Sequence, residues 1–199
     1  MNQIALPFDW PAAESDEAFV VGDANAAAVR HLKSFARWPV AATILVGPRK
    51  SGRSLLGRVF AARTGATLLD DAEHVAEQEV FSAWNLAQQR HMPLLLIADH
   101  APPVWTPRLP DLASRLAVTP AARIGQPDDD LIVRLLPRLL ERRGLFAPSE
   151  LVRYLAPRLP RTYHELLDAV DRLDAAALAQ RRAVSVPLAR EALGLAAND

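Results

Sequence analysis

The sequence contains no cysteine. That excludes disulfides and thiolate metal sites, and it accords with a reducing cytoplasm. Charge of one sign is not in excess either: Lys+Arg and Asp+Glu both total 23. No global positive field therefore draws the chain to nucleic acid, and any DNA contact must come from a local patch. The apolar runs stop far short of the roughly 20 residues that cross a bilayer. The N-terminus lacks a basic segment followed by an apolar run, so a secretory signal is not expected. Internal repeats are absent, and His31, His74, His91 and His100 show no metal-ligand spacing. What remains is a chain of 199 residues, 50% hydrophobic and 23% charged. This composition predicts a cytoplasmic globular protein of one domain, or one domain plus a small appendage.

Three stretches differ in pattern. Residues 1–17, a short apolar cluster (MNQIALPFDW) followed by small and acidic residues, read as a tether. Residues 18–126 alternate strand and helix signals. Apolar runs at 41–46 (AATILV), 66–69, 93–98 (PLLLIA) and 121–125 read as strands, and 54–63, 77–90 and 110–116 have helical spacing. Such alternation predicts a parallel sheet built from crossover units. From residue 127 the pattern is purely helical, with Pro127, Asp128, Asp129 and Asp130 as start signals and Gly144 after the last turn of the first helix. The fold class is thus α/β: a core with a short parallel sheet of about four strands, then a C-terminal helical lid.

Between the first strand and its helix lies Gly47-Pro48-Arg49-Lys50-Ser51-Gly52-Arg53-Ser54. This is the frame G-x-x-x-x-G-K-[ST] of a phosphate-binding loop with Arg53 at the lysine position. Glycines allow close backbone approach, successive N–H groups surround a phosphate, and the helix dipole adds attraction. Ser54 is placed to coordinate Mg²⁺. Arg53 keeps the charge, but its planar fork need not reach the same oxygens as an ammonium. Asp70 and Asp71 end the next strand, where one carboxylate can hold the Mg²⁺ water shell and the other can orient a water or simply cap a helix. Asp99 ends the PLLLIA strand on the same carboxyl edge, where ligands gather in open α/β folds. Trp38, Trp84 and Trp105 read as core or interface aromatics. The basic run 134–143 alternates with leucines, as a solvated helix face with an apolar back does.

The order of these pieces resembles the AAA+ module of the bacterial DnaA initiator, and more closely its shortened homologue Hda, over residues 18–195. FVVGDAN (19–25) resembles the segment flanking the adenine, which assigns that role to Val20 and Val21. GPRKSGRS resembles the Hda phosphate loop, LLDDAEHV the Walker B element, and LLLIADHAPPVW the sensor I strand. LPDLASRL (109–116) resembles the helix that carries the family's arginine finger, here Arg115. RTYHELLDAVDRL resembles the lid helix of sensor II, with His164 where arginine is usual. Gln3-Ile4-Ala5-Leu6-Pro7-Phe8 resembles the motif that binds the sliding clamp: Leu6 and Phe8 as apolar anchors, Pro7 pre-setting an extended backbone and Gln3 hydrogen-bonding.

The resemblance implies a negative regulator of replication initiation with two partners, the DnaA initiator and the polymerase III sliding clamp, and homo-oligomers as a further assembly. It implies ADP (or ATP) as cofactor, with Mg²⁺ held by Ser54 and Asp70. Arg53 for lysine and His164 for arginine each remove a family contact to phosphate. Nucleotide is thus expected as ADP, with slow turnover, and the chain as a stimulator of its partner's hydrolysis more than an enzyme; an active P-loop ATPase and a nucleotide-free AAA+-like scaffold are the alternative readings. Only residues 55–65 separate the loop from the next strand, room for a helix but not for the family's additional strand, so the sheet is expected one strand short of the usual five. The DNA-contacting parts of the initiator are absent, and sequence-specific DNA binding is not expected.

Overall fold

A computed structural model describes residues 19–195; Gln3, Leu6, Pro7 and Phe8 lie outside the described residues. The described chain opens on a helix that the sequence reading did not anticipate, α1 (Asp23–Lys33). Its buried stripe is Asn25, Ala28, Val29 and Leu32, two small or polar residues among four, so its hydrophobic period is weak. What fixes its start is polar: Gly22 N–H donates to Asn25 Oδ1 at 3.0 Å, and Asn25 Nδ2 donates to the Val20 carbonyl at 2.9 Å.

The rest of the α/β part follows in order as β1 (Ala42–Val46), α2 (Arg53–Thr64), β2 (Thr67–Leu69), α3 (Glu77–Arg90), β3 (Leu94–Ala98), α4 (Pro110–Val118) and β4 (Ala121–Arg123). The strands form one parallel four-stranded sheet in the order β2-β3-β1-β4. β1 and β3 are buried along their whole length, as strands covered on both faces must be. Their residues alternate between two cores. Leu45, Leu95 and Ile97 pack with Leu56 and Phe60 of α2 and with Ala28, Val29 and Leu32 of α1. Ile44, Val46, Leu94 and Leu96 pack on the other side with Val80 and Ala87 of α3 and with Leu112 and Leu116 of α4.

Four helices complete the described residues: α5 (Asp129–Glu141), α6 (Ser149–Leu155), α7 (Tyr163–Gln180) and α8 (Val186–Leu193). They bury a separate apolar cluster built on Leu136, Leu140, Leu155, Leu173 and Leu188. The joint to the sheet is specific. Asp128 caps α5 by accepting from Leu131 N–H at 2.7 Å, and it also accepts from Ala24 N–H at 3.3 Å, in the first turn of α1. Gly125 N–H donates to the Ala24 carbonyl at 2.7 Å. Leu131, Leu135 and Tyr163 of the lid side with the α1–α2 core rather than with their own helices alone. The helical part is thereby fastened to α1, directly above the edge where β1 ends.

Gly47 leaves β1 against β4: a Cβ there would lie 2.9 Å from both Cβ and carbonyl oxygen of Ile124. Backbone on the far side cannot yield as a rotamer can. Gly47→Ala is therefore expected to destabilise the fold by about 2 kcal/mol, the scale of overpacking in a tight site, as read from the urea midpoint; an unchanged midpoint would show that β4 gives way freely.

Candidate nucleotide site

All four strands run in the same direction, so Gly47, Asp70, Asp99 and Ile124 share one edge of the sheet. The loop after β1 turns there into α2, with Lys50 (φ 66°) and Gly52 (φ 85°) both left-handed. Glycine adopts that region freely; a lysine held in it is strained by about 1–2 kcal/mol. The loop closes on itself through Ser51 N–H to the Pro48 carbonyl at 3.2 Å.

Beside the loop is a cavity of about 140 Å³. Lys50, Ser51, Gly52 and Leu55 line it from the loop and α2, and Phe19, Val20 and Asn25 from the segment entering α1. Leu131, Leu135 and Arg138 line it from α5, Arg142 from the residue that follows α5, and Tyr163 and Leu166 from α7. The Phe19 ring lies so close to Gly52 that a Cβ there would sit 3.1 Å from it. Two enclosed hydroxyls on this lining, Ser51 Oγ and Tyr163 Oη, have no hydrogen-bond partner. Burial first, and then the negative charge of Asp128, pushes the Tyr163 phenol up to about 12, so it stays neutral and can donate. Leaving a hydroxyl buried and unpaired costs about 1–3 kcal/mol. The cations Lys50, Arg138 and Arg142 on the lining fit an anionic ligand.

Arg53 and Arg49 are not on that lining. Arg53 Nη2 donates to Asp99 Oδ1 at 2.7 Å and Nη1 donates to the Ala98 carbonyl. Arg49 donates to Asp99 Oδ2 through Nε at 3.1 Å and Nη2 at 2.8 Å. The Arg53 side chain is 13% exposed and that of Arg49 74%, so the Arg53 bond is the one poorly screened by water. Arg53 and then Arg49 hold the Asp99 carboxyl below the usual aspartate range. A depressed acid stabilises the fold above its unfolded pKa and loses that contribution as pH falls through the folded value; at neutral pH the pairing is intact. Behind it, Glu73 accepts from Asp99 N–H at 2.8 Å and from His100 N–H at 3.0 Å, which locks the end of β3.

The remaining residues anticipated from sequence are dispersed. Asp70 is exposed and accepts from Asp71 N–H at 3.0 Å. Asp71, at φ 54°, pairs with His74 Nδ1 at 2.9 Å, which raises the His74 pKa. β3 intervenes between β2 and β1, so Asp70 stands two strand spacings from the loop, roughly 10 Å. Ser54 is half-buried in the first turn of α2. Among the described residues no group of three or more His, Asp or Glu gathers to hold a metal. Val20 lines the cavity; Val21 does not, and its carbonyl accepts from Arg134 Nη1 at 2.9 Å. His164 is exposed and off the lining, because one residue along α7 turns the side chain about 100° from Tyr163. Arg115 sits on the flank of α4, half-buried. Its Nε donates to Asn85 at 2.9 Å, and its guanidinium lies 4.7 Å from the Phe81 ring centroid and 5.1 Å from that of Trp84.

Sequence reasoning missed Glu73, Tyr163, Arg138 and Arg142 as site residues. The run 134–143 is more than a solvated face: Arg134 bonds the backbone before α1, Arg138 and Arg142 line the cavity, and Arg143 pairs with Asp171. Leucines on the back of the same helix masked this, since periodicity reports the buried side only.

The geometry is that of an AAA+ module. Domain III of DnaA from Thermotoga maritima superposes with a TM-score of 0.73 at 16% identity, covering 90% of this chain and 95% of that one. AMPPCP-bound DnaA from Aquifex aeolicus superposes at 0.62 with 15% identity, covering 84% and 67%. The family model "Hda, lid domain" matches residues 128–193. The described chain thus joins a lid that matches the Hda family model to a fold like that of the DnaA AAA+ module. A protein of Haemophilus influenzae, described as uncharacterized, is 32% identical over 133 residues, which is 64% of this chain and 58% of the relative. As expected, the sheet has four strands among the described residues. Among the described residues no helix is long and apolar enough to cross a membrane.

Tyr163→Phe tests the orphan hydroxyl. It is expected to stabilise the chain by about 1 kcal/mol in urea, since an unsatisfied buried group is removed. A loss of 1 kcal/mol or more in the free chain would show that the hydroxyl has a partner.

Proposed function

We propose that this chain is a negative regulator of replication initiation that docks onto ATP-bound DnaA and supplies Arg115 in trans to its hydrolytic centre. The observation that supports this best is how Arg115 is held. Its Nε edge is fixed by Asn85 and its plane rests by Phe81 and Trp84. Such contacts limit the rotamers of a long side chain, so less entropy is lost when its Nη atoms meet a phosphate. A guanidinium delivered in trans stabilises charge on the transferring phosphoryl group, by about 10³–10⁵ in rate in GTPases.

Hydrolysis in cis is disfavoured by the same site. Asp71 is engaged with His74, Asp70 with the Asp71 backbone, and Arg53 with Asp99. ADP is the nucleotide we assign to the cavity, with Lys50, Ser51 and Tyr163 as its holding residues beside the loop backbone. Bound Mg²⁺, with Ser54 as its protein ligand, would supply phosphate charge neutralisation. The tail motif, Gln3 with Leu6, Pro7 and Phe8, would tether the chain to the sliding clamp and raise its concentration near loaded DNA.

The experiment is DnaA ATP hydrolysis on clamp-loaded DNA with this protein intact, as Arg115→Ala, and as Leu6→Ala/Phe8→Ala. The first variant is expected to lose stimulation at least a hundredfold at any concentration, and the second only at low concentration. Stimulation unchanged in Arg115→Ala would remove the finger, and indifference to the tail variant would remove the tether.

A further inference from the structure

Several arginines of this chain find acids: Arg143 pairs with Asp171, Arg161 with Asp129 and Arg49 with Asp99. Where α6 packs on α8 the pattern changes. Leu151, Leu155 and Leu188 are buried there in the lid core, and Tyr154 stands half-buried beside them. The Arg158 Cζ lies 4.2 Å from the centre of the Tyr154 ring and the Arg190 Cζ 5.3 Å. Arg158 Nη1 donates to the Tyr154 carbonyl at 3.0 Å, and Arg190 Nε donates to Tyr154 Oη at 3.2 Å. Both arginines are exposed, as is Arg153 one residue before the tyrosine. Among the described residues neither Arg158 nor Arg190 has a carboxylate partner.

Two positive charges that share one ring lie within about 10 Å of each other, inside a Debye length at 0.1 M salt, so they repel. The ring holds them together nonetheless and limits their rotamers. Each keeps N–H donors without an acceptor among the described residues: both Nη atoms of Arg190, and Nε and Nη2 of Arg158. A lone carboxylate is satisfied by one such fork. A densely repeating anion engages both, and duplex DNA carries one charge per roughly 1.7 Å of its axis. We propose that Arg158, Tyr154 and Arg190 form a sequence-independent contact for the phosphodiester backbone of DNA. α6 and α8 contribute nothing to the lining of the nucleotide cavity, so the contact is separate from that cavity and does not depend on what fills it. A chain with as many acids as basic residues has no global field to offer, and the cluster supplies the local patch that DNA binding then requires. It adds to the docking reading a direct hold on DNA that is independent of Arg115.

Fluorescence anisotropy of a short labelled duplex of arbitrary sequence, titrated with the full chain at several salt concentrations, tests it. The unaltered chain is expected to bind with a Kd on the order of 10⁻⁵ M at physiological salt, within the range of sequence-independent contacts. Arg158→Gln/Arg190→Gln is expected to weaken binding about tenfold and to lower the slope of log affinity on log salt by about 1.8, the counterions of two phosphates. Arg158→Lys/Arg190→Lys keeps the charges and loses the forks. It is expected to bind about threefold more weakly with its slope unchanged, and it is the variant to read should the first fold poorly. Arg181→Gln/Arg182→Gln removes the same charge at the end of α7, where Arg182 is held by Gln180, and is expected to leave the affinity nearly as it was. Affinity unchanged in both Arg158/Arg190 variants, an equal loss in the Arg181/Arg182 variant, or no binding of duplex by the unaltered chain at low salt overturns the proposal. Displacement of the duplex by polyglutamate at matched charge overturns it too, and assigns the cluster to an acidic protein partner.

Discussion

The carboxylate of Asp99, at the end of the central strand β3, is the point around which this site is organised. It holds Arg53 at the start of α2 and Arg49 in the loop, while Glu73 from the segment after β2 holds its backbone. Three chain segments that approach the sheet edge separately are joined there by charge. The arrangement explains why the cavity is lined by the loop's lysine and serine but not by its arginines. It also explains how a phosphate-loop frame can persist while its usual cation does something else.

A second constraint places the lid. Asp128 begins α5 and simultaneously accepts from the first turn of α1, and Arg134 reaches the Val21 carbonyl. Each bond is worth on the order of 1 kcal/mol, but together they fix the angle at which α5 and α7 overhang the loop. The buried side chains of Leu131 and Tyr163 then belong to the core of the α/β part. The wall of the cavity opposite the loop is therefore set by the joint, and a change at Asp128 would move Arg138, Arg142 and Tyr163 as a body.

Much of this was legible in the sequence. Uninterrupted apolar runs of strand length gave β1 and β3, the short spacing at residues 55–65 gave a four-stranded sheet, and strand ends located Asp70 and Asp99. α1 was not legible, because alanine and asparagine supply half of its buried face and no apolar period stands out. The role of Arg53 was half legible. Its fork geometry warned that it need not reach the lysine's oxygens, but its partner is fixed by strand order, and order is invisible to periodicity. Tyr163 and His164 show the same limit at one-residue scale. Both lie in the motif that resembles the sensor II helix, and only the helical phase decides that the tyrosine faces the cavity and the histidine faces water.

The most direct test of the account is the titration of Asp99 itself, followed by ¹³C NMR of its side-chain carboxyl in the free chain. An aspartate shared by two guanidiniums is expected to titrate below the ordinary value of about 3.9, and to move back toward that value when Arg53 is replaced by Gln. A midpoint at or above the ordinary value in the unaltered chain would contradict the account, because it would mean that the loop's arginines are not held by this carboxylate.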